Sequence, residues 1–190
     1  ALPISPRQYF QFRVDFTNAT LTSSRALAQL AFDFSSPPVD GLFAEVEPST
    51  ASISETTTFT FVTLVDNDSG RDGFTRFDVE TPTRITALHS VTVKDPSGTV
   101  TARGDFGTVD VDEMLPRFSG EVTLTEVDDE HFSLTMPRVV QDGASIEIIF
   151  DSAVFRYGTR FRGLAFAEGS TLPLLTEGGN ATSAIDTDDL

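Results

Sequence analysis

Hydrophobic and polar residues alternate with a period of two along much of this chain. Gln8–Phe16 places every second residue, Phe10, Phe12, Val14 and Phe16, on one face, and Thr57–Leu64 places Phe59 and Phe61 together. Because successive side chains of a strand point to opposite faces, this pattern predicts half-buried β-strands. The pattern predicts about ten strands, the others being Thr75–Glu80, Ala87–Val93 (Ala87, His89, Val91 and Val93 on one face), Thr99–Arg103, Glu121–Thr125, Phe132–Met136, Ser145–Phe150 and Ala153–Tyr157.

Turn-forming residues separate these segments. Asp95-Pro96-Ser97-Gly98 is typical of a type I turn and predicts that Ala87–Arg103 is a β-hairpin. Asp128–Glu130 predicts a second hairpin, which pairs Glu121–Thr125 with Phe132–Met136. Only the short segment Ser24–Leu30 has helical propensity, and strands do not alternate with helices. The fold class predicted is therefore all-β, an antiparallel β-sandwich of the immunoglobulin-like or jelly-roll kind.

The domain organisation follows from the spacing of the strands. One large sandwich is expected over residues 1–172, with two small sandwiches divided near residue 82 as the alternative, because Pro82 stands between two strand segments. Residues 173–190 are small, polar and acidic, which predicts an extension or linker. The chain starts at Ala1 and has no apolar run of 18 residues, so neither a signal peptide nor a transmembrane segment is expected within it.

The composition limits the class of function. Among the aromatic residues are 17 Phe, two Tyr and no Trp. Phenylalanine has no polar group to satisfy, so this set indicates a dry core between sheets more than a sugar-stacking platform. The absence of cysteine excludes disulfides, thiolate zinc sites and cysteine nucleophiles within this chain.

The charge limits the partners. The formal net charge is -16, and Lys94 is the only lysine. Such a surface repels phosphate backbones and anionic lipid headgroups, so we expect neither nucleic-acid binding nor membrane insertion. The acidic balance is compatible with divalent cations.

The segment Asp66–Gly73 is the candidate metal site. Asp66, Asp68 and Asp72 surround Gly70, and this arrangement resembles the start of a calcium-binding loop rich in oxygen ligands. No glutamate stands at the distance that an EF-hand requires, and Arg71 places a positive charge in the loop. The alternative, which the residue types favour, is an ordinary connection rich in Asx residues and glycine.

A second candidate site is basic. Arg156, Arg160 and Arg162 lie among aromatic residues in Ala153–Phe166. These arginines are candidates for capture of an acidic partner, including a second copy of this chain. The alternative is that they pair with the carboxylates of their own chain.

Catalytic motifs do not occur in the sequence. The two histidines are His89, on a predicted strand, and His131, in a predicted hairpin turn, and no nucleophile elbow, H-E-x-x-H helix or glycine-rich phosphate loop is present. We therefore expect no enzyme activity. Asn18, Asn67 and Asn180 each begin an N-x-[ST] triplet that fits a glycosylation site.

Three segments together carry a family resemblance. Asp72–Pro82, the strand Ser90–Val93 and Val154–Phe166 are similar in order to a β-rich module of large exported bacterial proteins, which tends to precede a FlgD-like or sorting-type C-terminal domain. The resemblance spans roughly residues 58–185. It implies an exported or cell-surface location and a structural or adhesive role, and it implies no ligand.

These observations favour a non-enzymatic structural or adhesive module of a secreted or cell-surface protein. Its expected partners are other protein subunits or a surface polymer, including copies of itself in a filament or layer. The alternative is a carbohydrate-binding module of an exported multidomain enzyme.

Overall fold

The computed structural model describes residues 36–107, 115–155 and 160–179, together with Asp15, Leu27, Gln29 and Ala181. Two units are distinguished along the chain, Ala1–Phe34 and Ser35–Leu190, and the strands below belong to the second. This division differs from the single sandwich expected from residue 1 onward. Gln8–Phe16 and Ser24–Leu30 lie almost entirely outside the described residues.

The described part of the chain contains twelve strands and no helix. They are β1 (Gly41–Glu47), β2 (Thr56–Asp66), β3 (Phe74–Glu80), β4 (Ala87–Lys94), β5 (Val100–Asp105), β6 (Arg117–Ser119), β7 (Val122–Val127), β8 (His131–Val139), β9 (Ser145–Ala153), β10 (Arg162–Phe166), β11 (Pro173–Leu175) and β12 (Glu177–Gly178). Sheet one has the order β12-β1-β2-β9-β4-β5, and sheet two has the order β11-β10-β3-β8-β7-β6. Every neighbouring pair is antiparallel except β1 and β12. The predicted all-β sandwich is confirmed.

The core lies between the inner faces of the two sheets. Alternate residues of β2 are buried, and β3 and β8 bury Phe77, Val79, Phe132 and Leu134 completely. The rings of Phe132 in sheet two and Phe150 in sheet one meet edge to face, with centroids 5.4 Å apart. The prediction that phenylalanine forms the core is confirmed for Phe59, Phe61, Phe74, Phe77, Phe106, Phe132 and Phe150.

Both predicted hairpins are present. β4 pairs with β5 across the turn at Asp95, whose Oδ1 accepts hydrogen bonds from the backbone N–H groups of Ser97 and Thr99, both at 2.9 Å. β7 pairs with β8 across the turn at Asp128, where the Asp128 N–H donates to His131 O at 2.9 Å. In each turn an aspartate at the first position satisfies backbone donors that the ladder leaves free.

One predicted strand face is wrong at His89. The register of β4 runs from Leu88 opposite Phe150 to Ser90 opposite Ile149, so His89 is an extra, bulged residue. Leu88 therefore joins Val91 and Val93 in the core, while His89 is only partly buried. A simple period of two cannot anticipate this shift, because a bulge moves every residue on one side of it to the opposite face.

Two expectations about domain limits are also corrected. Strands before and after residue 82 share both sheets, β2 with β4 in sheet one and β3 with β8 in sheet two, so the described chain is not divided there. The expected linker after residue 172 is wrong for Pro173–Gly178, which form β11 and β12. These strands are too short to show alternation.

The segment 173–179 closes one side of the sandwich. β11 pairs with β10 in sheet two, and β12 pairs with β1 in sheet one, so the chain crosses between the sheets at Thr176. The Thr176 N–H donates to Gly163 O, and the Gly163 N–H donates to Thr176 Oγ1, both at 2.9 Å. Gly163 leaves room for this crossing, because a Cβ there would lie 2.4 Å from Phe77 Cζ.

The turn between β6 and β7 closes the other side. Ser119 Oγ accepts a hydrogen bond from the Asp105 N–H at 2.8 Å and donates one to Asp105 O at 2.6 Å. Glu121 Oε2 accepts from the Arg103 N–H at 3.1 Å. Gly120 has a φ of 54°, and a Cβ there would lie 2.1 Å from Arg103 O. Sheet two therefore covers the outer edge of β5, the last strand of sheet one.

Within the residues that the structure describes, no helix has the length and apolar character needed to cross a membrane.

We predict that Gly163→Ala lowers the free energy of unfolding by about 1–3 kcal/mol, because the new methyl group overpacks the Thr176 crossing. Gly178→Ala in β12 is the matched control, since nothing lies within 4 Å of its added Cβ, and it is expected to change stability by less than about 0.5 kcal/mol. Urea unfolding followed by circular dichroism measures both. Equal stability of the two variants would contradict a tight crossing at Gly163.

Candidate functional site

The Asp66–Gly73 loop is organised around the buried Asn67 side chain. Asn67 is 4% exposed, and its Nδ2 donates to Val140 O at 2.6 Å and to Arg71 O at 3.1 Å. Its Oδ1 accepts from the Arg71 N–H at 2.9 Å. This amide therefore closes the loop on itself and ties it to the end of β8. Because both Nδ2 hydrogens are used in the interior, Asn67 does not offer the accessible amide that glycosylation needs; Asn18 and Asn180 lie outside the described residues.

Asp40, a residue outside the loop, neutralises the positive charge of Arg71 in the loop. Asp40 accepts hydrogen bonds from Ser69 Oγ at 2.6 Å, from the Ser69 N–H at 2.7 Å and from Arg71 Nε at 2.6 Å. The hydroxyl of Ser69, followed by Arg71, lowers the pKa of Asp40 from 3.8 to about 2. Arg71 thus has a carboxylate partner from a different part of the chain.

Two of the three predicted calcium ligands come together. The carboxylate oxygens of Asp66, Asp68 and Asp142 lie within 4.8 Å of one another, and Asp142 Oδ1 also accepts from the Asn67 N–H at 2.9 Å. Asp72 does not belong to this group, and its carbonyl oxygen accepts from Arg138 Nη1 at 3.3 Å. The calcium site stays a prediction, and Asp142 replaces Asp72 as the third carboxylate that the fold supplies.

Sheet two carries a polar cleft on its outer face. Phe77, Val79 and Phe132 point into the core, so Asp78, Glu80 and His131 on the same strands point outward. The cleft has a volume of about 460 Å³ and is lined by Asp78, Glu80, Thr81, Asp128, Glu130, His131, Arg160 and Leu164.

The predicted basic residues differ in their position relative to the cleft. Arg160 lines it, while Arg162 Nη1 lies 3.9 Å from Glu80 Oε2. Arg156 lies outside the described residues. Self-pairing, the alternative interpretation of this segment, therefore describes Arg162, and Arg160 is the arginine that the cleft presents.

The two histidines occupy different sheets. In the hairpin at the cleft, His131 Nδ1 lies 2.6 Å from Asp128 Oδ2, and Nε2 lies 3.8 Å from Glu126 Oε2. In sheet one, His89 Nε2 lies 2.9 Å from Asp151 Oδ1, but the contact does not have hydrogen-bond geometry. Within the described residues neither histidine is hydrogen-bonded to a serine or threonine hydroxyl.

Sequence reasoning missed Asp40, Asp142 and Glu126 as members of these clusters. Asp142 is separated from Asn67 by 75 positions, and Asp40 from Arg71 by 31. Glu126 stands beside His131 because β7 and β8 pair, a relation that the predicted hairpin contained. The hairpin was therefore the one sequence signal that pointed to a carboxylate–histidine cluster.

We predict that Asn67→Ala lowers the free energy of unfolding by about 1–3 kcal/mol, because it leaves buried carbonyl and N–H groups without partners. Asp68→Ala, an exposed change in the same loop, is the control, with an expected effect under about 0.5 kcal/mol. Chemical denaturation without calcium measures the two variants. A loss in Asp68→Ala as large as in Asn67→Ala would contradict the structural role given to the amide.

The Asp40 interactions predict a pH dependence. Because the pKa is lower in the folded chain, the stabilisation is complete above the unfolded value of 3.8 and disappears as the pH falls towards about 2. The difference in melting temperature between the wild type and Asp40→Asn should therefore be constant at neutral pH and shrink across that acidic interval. Differential scanning calorimetry across a pH series measures it. A difference that persists undiminished at pH 2 is the opposing result.

Comparison with known proteins assigns no family to this geometry. The chain matches no family model, and no match is found among the curated proteins.

Proposed function

We propose that this chain is a non-enzymatic structural or adhesive module of a secreted or cell-surface protein. The observation that carries the proposal is the closure of the sandwich at both sides, by segment 173–179 and by Ser119–Glu121. Unpaired edge strands are templates for aggregation, and a module that works outside the cell at high local concentration gains from covering them.

The closing contacts also join the two sheets mechanically. Thr176 links Gly163 of sheet two to the strand that pairs with β1 of sheet one. Ser119 and Glu121 of sheet two bind the backbone of β5 in sheet one. Separating the sheets therefore requires breaking hydrogen bonds at both sides as well as exposing the core, which suits a module that transmits load.

The surface chemistry points to the class of partner. A net charge of -16 disfavours contact with anionic polymers and lipids and leaves protein subunits or a neutral surface polymer. β6 is three residues long, has β7 as its one partner among the described strands, and exposes 75% of Phe118. The closing contacts of Ser119 and Glu121 cover β5 and leave the outer edge of β6 open, so this edge is where another subunit, including a second copy, would add to sheet two. Calcium at Asp66 and Asp68 would reduce the repulsion between copies.

The outer cleft of sheet two favours the alternative, a carbohydrate-binding module, because sugars are bound through polar side chains on sandwich faces. Its lining contains carboxylates, His131 and Arg160 but no Phe, Tyr or Trp ring. Phe166 lies on the same sheet, and Arg76 covers its ring at 4.4 Å from the centroid. A stacking platform is therefore not free in the described part of this face, and the structural role is the better supported of the two.

We predict that antibodies raised against the purified chain label intact cells of the source organism or its secreted assemblies, and that protease treatment of intact cells removes the label. Permeabilised cells give the total amount, and an antibody to a cytosolic protein is the control for lysis. Labelling that appears only after permeabilisation would overturn the proposal.

A glycan array with the same purified chain separates the two candidate functions. The structural role predicts no saturable binding to any glycan. Saturable binding that is lost in Glu80→Gln or Arg160→Gln, and retained in Arg103→Gln outside the cleft, would replace it with the carbohydrate-binding module.

A further inference from the structure

The β7–β8 hairpin places a histidine among carboxylates on the outer face of sheet two. Glu126 and Ser133 are direct cross-strand partners, and Ser133 is in turn opposite Asp78 of β3. His131, two positions before Ser133, shares its face and is opposite Glu80. The cross-strand rows through Ser133 and His131 thus bring one imidazole close to acidic side chains of β3, of β7 and of the turn between β7 and β8.

Asp128 fixes the orientation of the imidazole. Its Oδ2 lies 2.6 Å from His131 Nδ1, and its Oδ1 accepts from the N–H groups of Glu130 at 2.8 Å and His131 at 2.7 Å. Desolvation acts to raise the pKa of Asp128, but these backbone hydrogen bonds outweigh it and the pKa lies below its usual value. Asp128 is thereby fixed beside Nδ1 and orients the imidazole, with Nε2 directed away from it.

Because Nδ1 faces Asp128, Nε2 is the ring nitrogen whose lone pair is left to bind an ion. A carboxylate that accepts from one ring nitrogen while the other binds a metal is the usual second-shell device of histidine metal ligands. Glu126 Oε2 lies 3.8 Å from Nε2. Two ligands about 2 Å from a tetrahedral ion lie roughly 3.3 Å apart, so a small rotation of the exposed Glu126 side chain meets that spacing. One ligand atom from each of Glu126, Asp128 and His131 already falls within 4.8 Å of the others.

An independent observation concerns Ser133. Its side chain is 1% exposed, and its Oγ has no hydrogen-bond partner among the described residues. Phe132 and Leu134 on either side point into the core, so this hydroxyl points to the outer face between Glu126 and His131. A buried hydroxyl without a partner costs free energy. Ser133 is therefore a polar group without a partner among the described residues, beneath the face that carries Glu126 and His131.

Arg76, the cation on the neighbouring strand β3, does not occupy the cluster. Arg76 donates from Nε to Asp78 Oδ1 at 2.9 Å and from Nη2 to Asp78 Oδ2 at 2.6 Å, and its guanidinium covers the Phe166 ring. Arg76 is thereby held by a two-bond ion pair with the buried Asp78. The hydrogen bond to Asp78 raises the pKa of Arg76, and the charge of Glu126 contributes a smaller effect in the same direction. Among the described residues, however, no hydrogen bond or ion pair joins Glu126 to Arg76, and the Glu126 side chain is 58% exposed.

We propose that Glu126 and His131 bind a divalent transition-metal ion of the Zn²⁺ class, with Asp128 as the residue that positions the imidazole. An imidazole ligand favours Zn²⁺ over Ca²⁺, which takes oxygen ligands alone. Two protein ligands leave the other coordination positions to water or to a ligand from a partner. The site is separate from the acidic group of Asp66, Asp68 and Asp142.

Titration of the full chain with zinc chloride, followed by isothermal calorimetry, tests the proposal. We expect one saturable site whose affinity falls at least about tenfold in His131→Gln and in Glu126→Gln, and about 10–100-fold in Asp128→Asn. His89→Gln is the matched control, because His89 is the other histidine of the chain and lies beside a carboxylate in sheet one. It should bind zinc as the wild type does. Calcium chloride should not compete at equal concentration.

Nuclear magnetic resonance of the ¹⁵N-labelled imidazoles gives a readout at the residue itself. With two histidines in the chain, zinc should shift Nε2 of His131 and leave His89 unchanged. The spectrum of each variant without zinc shows whether the fold is retained. Unchanged affinity in His131→Gln, a shift of His89, or a loss of zinc binding confined to Asp142→Asn would overturn the proposal.

Discussion

A sheet that ends leaves a row of backbone N–H and C=O groups without partners, and contacts between the two sheets satisfy part of that row at both sides of this sandwich. At one side the chain itself changes sheet at Thr176, so that a single segment is the edge of both sheets. At the other, a hydroxyl and a carboxylate of Ser119 and Glu121 bond to the backbone of β5. These contacts join the two sheets at the sides of the core.

Closure of the sandwich also determines which parts of its surface carry polar functional groups. With the edges covered and the inner faces packed with Phe, Ile and Val, the outer faces and the turns remain for polar groups. The cleft of sheet two and the Asn67 loop lie at such places, and each is built on strands whose alternate residues anchor the core. The side chains of Asp78 and His131 are positioned by the same ladder that buries Phe77 and Phe132. This coupling gives an outer-face site the rigidity of the core beneath it.

The acidic composition has a structural use as well as an effect on solubility. Asp40, Asp95 and Asp128 each accept backbone N–H groups in a loop or turn, and hydrogen bonding lowers the pKa of all three. Such carboxylates are stabilised in the ionised form, so they act at neutral pH as fixed acceptors. Part of the net charge therefore holds turns in place. Asp66, Asp68 and Asp142 form a further group of carboxylates, and Glu126 joins Asp128 and His131 in a second.

The sequence by itself determined the elements whose signals are local. The alternation of β2 and the turn residues at Asp95 and Asp128 were sufficient to predict the long strands, both hairpins and the all-β class, because a strand's period and a turn's hydrogen bonds depend on neighbouring residues. The grouping of the Asp66 and Asp68 carboxylates was predicted for the same reason, since the two residues are close in sequence. Tertiary structure decided the short closing strands, the bulge at His89, and the partners Asp40 and Asp142. Those contacts arise from the register between strands distant in sequence, and register is set by how two whole faces pack, which no single segment encodes.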